Sequence, residues 1–129
     1  MELDKIKDLL DNCGIKYKET NDYIITFWNI KNESIPIIIF IESETNWVMS
    51  FSIIQKHIKK EDISEVFKIL LRINNRHHGV KYSLNFKEEI SIISEFPLKY
   101  LDESILKSNL TEIVKSINEL YDEAKNFLF

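Results

Sequence analysis

The stretch Ile35-Pro36-Ile37-Ile38-Ile39-Phe40-Ile41 constrains the fold more than any other part of the chain. Alternate side chains of an extended strand point to opposite faces. Ile35, Ile37, Ile39 and Ile41 therefore fill one face, and Ile38 and Phe40 fill the other. The run before it, residues 23–30, behaves the same way: Tyr23, Ile25 and Phe27 oppose Ile24, Thr26, Trp28 and Ile30. A sheet with one wet side should be polar on that side, and these two strands are not. Two continuations are open. Either a further helix covers the second face, or that face meets a partner or another copy of the chain. On the second continuation Ile24, Trp28, Ile38 and Phe40 are the expected contact residues.

The rest of the chain surrounds this pair with regular elements. Lys31-Asn32-Glu33-Ser34 separates the two runs, and Glu44-Thr45-Asn46 precedes a third over 47–54. There Trp47, Met49, Phe51 and Ile53 alternate with Val48, Ser50, Ser52 and Ile54, the pattern of a half-buried strand. Short turns make the three an antiparallel meander, and residues 16–18 add a short leading strand. Leu3, Ile6, Leu9, Leu10 and Cys13 recur at helical spacing, with Gly14 as the C-terminal cap, which predicts a helix over 2–13. Asp62 and Glu65 form an acidic capping box for a second helix over 62–74, striped by Ile63, Val66, Phe67, Leu70 and Leu71. Strands follow at 80–86 and 90–96, joined by Lys87-Glu88-Glu89 and ended by Pro97. A short helical turn starts at Asp102, and Asn109 with Glu112 caps a long final helix. The expected fold is one α+β domain over 1–129, in the order α-β-β-β-α-β-β-α, its antiparallel sheet packed by the N- and C-terminal helices.

Composition removes several function classes. With 129 residues the chain supports a single core. Its 17 Lys and Arg against 21 Asp and Glu give a net charge of −4, which disfavours nucleic acid as a partner. The basic run Lys56, His57, Lys59 and Lys60 meets Glu61 and Asp62 at once and reads as a solvated turn. Gly14 and Gly79 stand too far apart to wrap a phosphate. Cys13 is the single cysteine and reads as a small core residue rather than half of a disulfide. No signal peptide is expected at the N-terminus, and the run Ile37 to Ile41 is too short to cross a bilayer. The expectation is a soluble cytoplasmic protein without membrane association.

Candidate chemistry is sparse. His77 and His78, with His57 and Cys13, match no metal-ligand spacing, so no metal is expected. The carboxylate pairs Glu42 with Glu44, Glu88 with Glu89, and Asp102 with Glu103 sit at strand ends, turns and a helix start. No serine stands in a glycine-flanked elbow. Neither an enzyme nor a cofactor is expected.

The segment Val66-Phe67-Lys68-Ile69-Leu70-Leu71-Arg72-Ile73-Asn74, the strands over 80–84 and 90–96, and the terminal helix carry a resemblance. With the order of elements, they resemble the type III secretion chaperone fold, and more closely the YbjN-like family that shares it. The resemblance implies a non-enzymatic, chaperone-like or regulatory module that works through protein contacts and is often dimeric. Ile69 and Ile73 lie off the second helix's stripe, so with Tyr82 and Leu84 they are the expected homodimer contact. A small-ligand pocket between sheet and C-terminal helix, lined by Tyr23, Phe27, Trp47 and Phe51, is the alternative.

Overall fold

A left-handed pair, Lys31 at φ 49° and Asn32 at φ 66°, sets the register of the whole sheet. Two consecutive positive φ values make a two-residue turn whose twist suits a tight hairpin. That turn joins β2 (Ile24–Ile30) to β3 (Glu33–Glu42) with Ile30 opposite Glu33 and Ile24 opposite Ile39. The computed structural model describes residues 2–76, 79–85, 87 and 89–129. Around the hairpin it adds β1 (Tyr17–Glu19), β4 (Trp47–Ile53), β5 (Val80–Leu84) and β6 (Ile90–Pro97). The result is a six-stranded antiparallel sheet in the order β1-β2-β3-β4-β6-β5. With α1 (Glu2–Asn12), α2 (Ile63–Arg76) and α3 (Glu103–Glu123), it makes a single α+β domain.

The helices gather on one side. α3 crosses β2, β4, β5 and β6; α1 packs on α3 and β3, and α2 on β5 and α3. Ile24, Ile37, Ile39, Val48 and Ile92 are fully buried beneath them, against Leu110, Ile113, Ile117 and Leu120 of α3. Small polar residues let the long helix come close. Ser50, Ser52 and Ser94 are all buried on this face. Ser52 Oγ donates to the Pro36 carbonyl at 2.8 Å, and Ser94 Oγ bonds the Asn109 side chain and the Gly79 carbonyl. Ser50 Oγ has no hydrogen-bond partner among the described residues.

Three helix expectations need correction. Asp62 does not cap α2; it ends a 3-10 turn, Lys60–Asp62, that runs straight into the helix. Asn109 does not open the last helix but lies inside it. Its Nδ2 donates to the Ile105 carbonyl one turn back, and its Oδ1 meets Ser94, so its polar atoms are satisfied without breaking the helix. The cap is Asp102, whose carboxylate accepts from the Ile105 N–H at 2.8 Å. On α2, Val66, Leu70 and Ile73 make the buried stripe, while Leu71 is 70% exposed. His77, His78, Phe86 and Glu88 lie outside the described residues.

Candidate functional site

The two faces of the sheet differ in what covers them. Towards the helices point Ile24, Thr26, Trp28 and Ile30 of β2, and Ile35, Ile37, Ile39 and Ile41 of β3. The opposite face receives Ile25 and Phe27 from β2, then Pro36, Ile38 and Phe40 from β3. β4 adds Trp47, Met49, Phe51 and Ile53, and β6 adds Ile93. These side chains are half-buried by one another, and Phe27 is 46% and Trp47 37% exposed. Phe40 and Phe51 meet edge to face, with centroids 6.0 Å apart and planes at 83°. That is the geometry aromatic quadrupoles favour.

Within this outer face a hollow of about 290 Å³ opens between Phe40, Met49, Phe51, Ile53, Leu84 and Ile93. A larger groove, about 610 Å³, lies at one end of the sheet between Ile54, Ile58, Ile63, Phe67, Leu84 and Ile90, with Lys56, His57 and Glu89 on its rim. Lys56 is held by an ion pair to Glu33 and lies over the Tyr121 ring at 5.3 Å. Between sheet and C-terminal helix, Ile113, Ile117 and Leu120 are fully buried. Residues expected to line a ligand pocket there lie elsewhere. Phe27, Trp47 and Phe51 stand on the other side of the sheet, away from α3.

The residues singled out from the sequence separate accordingly. Ile38 and Phe40 lie on the open face. Ile24 is fully buried under the helices, and half-buried Trp28 shares that side, its Nε1 donating to Thr26 Oγ1 at 2.8 Å. Of the four residues expected at a dimer contact, Ile73 and Tyr82 belong to the chain's own core and Ile69 is half-buried against it. Tyr82 donates its hydroxyl to the Ser116 carbonyl at 2.6 Å. Burial holds its phenol well above the usual tyrosine range, with Glu119 adding to the shift. Leu84, 44% exposed, is left at the surface.

Ile25, Met49, Ile53 and Ile93 of this outer face are not singled out by the sequence, and Phe51 is expected in the ligand pocket instead. The signal that finds Ile25 is the hairpin turn, and the pairing of β4 with β3 and β6 places the others in the same face. A two-residue turn at Lys31-Asn32 sets Ile24 opposite Ile39, on the all-isoleucine face, and sends Ile25 and Phe27 outward with Ile38.

The outer edge of β5 is closed differently. Asn74 of α2 accepts from the Tyr82 N–H at 2.7 Å and donates to its carbonyl at 3.1 Å, as a neighbouring strand would. No group of three ligating side chains gathers among the described residues. Cys13 is half-buried with its Sγ 3.3 Å from Glu103; burial and that carboxylate push its thiol up, away from reactivity. Among the described residues no helix is long and apolar enough to cross a membrane.

No protein-family model and no curated protein matches the chain. Solved structures do. The crystal structure of YbjN from E. coli aligns at a TM-score of 0.76 and 13% identity, over 98% of this chain and 95% of that one. SchA in its chaperone–effector complex with HopA1 aligns at 0.59 and 14%, over 87% and 88%. The ExsC–ExsE complex aligns at 0.61 and 9%, over 93% and 92%. The fold is YbjN-like and type III secretion chaperone-like, as the order of elements implied. At these identities the likeness is one of fold.

Proposed function

We propose that the protein is a non-enzymatic interaction module of the cytoplasm, chaperone-like or regulatory, that binds a partner protein on the outer face of its sheet. One observation carries this reading. Residues from β2, β3, β4 and β6 make a continuous apolar surface that no described helix covers, in a chain that places α1, α2 and α3 on the other side. Exposed apolar patches of that extent mark interaction sites. The likeness to a chaperone seen with its effector supports it by analogy of fold. Affinity purification from the native cell extract tests the reading. Phe51→Asp should lose the co-eluting protein, whereas Leu71→Asp, on α2, should keep it. Loss with neither variant, or with Leu71→Asp alone, overturns it.

A second reading concerns self-association on the α2 side. Leu71 at 70% and Leu84 at 44% exposure are apolar side chains that no described element covers. We propose them as the contact of a homodimer, in place of Ile73 and Tyr82. Sedimentation at micromolar concentration should give twice the 15.4 kDa chain mass, and Leu71→Glu should halve it. A monomeric parent ends this reading and leaves the first intact.

A further inference from the structure

We infer that the outer face receives an amphipathic helix of a partner protein, lying across the strands with carboxylates at both ends of its apolar stripe. The inference rests on the reading of that face as a protein-binding surface. Register supplies the first argument. Lys18 stands opposite Ile25, Ile25 opposite Ile38, Ile38 opposite Phe51, Phe51 opposite Ile93, and Ile93 opposite Lys81. One row thus crosses the whole sheet, apolar throughout and ended by a lysine on each side. Five strand spacings put the two lysines about 24 Å apart, the rise of about 16 helical residues.

Width supplies the second. Phe40 pairs with Met49 two residues to one side of the row, and Phe27 with Pro36 two residues to the other. The outer rows are about 13 Å apart along the strands. A helix about 10–12 Å across fills that band, and a single extended strand does not. The molecule already uses this solution, because α3 crosses β2, β4, β5 and β6 on the opposite face. The hollow of about 290 Å³ beside Phe51 is the socket for one large apolar anchor.

Charge selects the occupant. Lys18 lies over the Phe27 ring at 5.6 Å, and Lys81 reaches Glu95 at 3.4 Å with over half its side chain exposed. Glu95 and Glu42 sit towards the Trp47 end of the face, off the row itself. A second copy stacked face to face is opposed by the same lysines. A two-fold axis along the row sets Lys18 on Lys18 and Lys81 on Lys81; one along the strands sets Lys18 on Lys81. Carboxylates at both ends of a helix meet the row without that conflict.

Three fluorescein-labelled peptides of about 18 residues test this against the full chain by anisotropy. The first is a leucine-striped helix with a central Phe and Glu at both ends. The second carries Lys in place of Glu, and the third has two central prolines. The Glu-ended peptide should bind about tenfold tighter than either, a difference of about 1.4 kcal/mol. Lys18→Glu with Lys81→Glu should reverse the order of the first two. Equal binding of Glu- and Lys-ended peptides, equal binding of the proline peptide, or no binding of any overturns the inference. In each case the protein-binding reading stands or falls separately, on whether Phe51→Asp, or the milder Ile38→Thr, loses the partner from extract. A dimer dispersed by Phe51→Asp puts a second copy on the face and overturns the inference as well.

Discussion

The two faces of the sheet are built from nearly the same amino acids and end in different circumstances. The helix-side face has Ile24, Ile37, Ile39 and Ile92 under α3, interleaved with Ser50, Ser52 and Ser94. The outer face has Ile25, Ile38, Phe40, Phe51 and Ile93, with no described helix above it. Apolarity alone does not tell the sides apart. On the central strands side-chain size does: Ser50 and Ser52 of β4 stand on the side where α3 approaches, and Phe40 of β3 with Met49 and Phe51 of β4 stand on the side where no described helix does. Stability resides on the first face and recognition, on our reading, on the second.

Large-to-small substitutions sharpen this contrast most. Ile117→Ala, at a fully buried site on α3, should cost about 2–5 kcal/mol in a urea titration. Phe51→Ala on the open face should cost about 1–2 kcal/mol, because its contacts are those of one half-covered layer. Equal losses would mean that the outer face is packed by something in the chain itself.

Asn74→Ala comes next. It frees both main-chain groups of Tyr82 on the edge of β5 and should cost about 1–3 kcal/mol. The opened edge should also raise self-association in light scattering. Unchanged stability and scattering would show that the edge is protected some other way.

Tyr82 gives a pH signature of the covered face. Its phenol holds the proton more tightly when folded than the ordinary value of 10.0. The associated stability is therefore intact below pH about 10 and is lost as pH climbs through the higher folded value. Stability measured from pH 8 to 11 should fall above pH 10, less steeply in Tyr82→Phe. Identical slopes would remove Tyr82 from the account. The smallest effect belongs to Ser50→Ala. Deleting a buried hydroxyl that lacks a partner among the described residues should leave stability unchanged or raise it by about 1 kcal/mol. A clear loss would assign Ser50 a bonded role.

Much of the architecture was legible from periodicity. The element order, the Ile35–Ile41 alternation and the terminal helix stripe all reappear in the structure, because period two and period 3.6 follow directly from backbone geometry. The faces were not. Alternation within each strand does not say which face of one strand matches which face of the next. That takes the pairing across the Lys31-Asn32 turn, which sets Ile24 opposite Ile39 and puts Ile24 and Trp28 on the helix side rather than with Ile38 and Phe40. Trp47 and Phe51, expected in a pocket under the C-terminal helix, stand on the outer face. The alternation over 47–54 did not tell that its small Ser50 and Ser52 would be the buried side. Leu71 and Ile73 were exchanged because both fit a helical stripe to within one residue, and only packing on β5 and α3 decides between them.

The central claim is that the outer face is occupied by another protein. A photo-cross-linking amino acid placed at position 51 in living cells, with position 117 as the buried control, addresses it most directly. The account predicts a discrete adduct of the chain with a second polypeptide from position 51, and only internal links from position 117. No intermolecular adduct from position 51, with the chain folded and abundant, would contradict it.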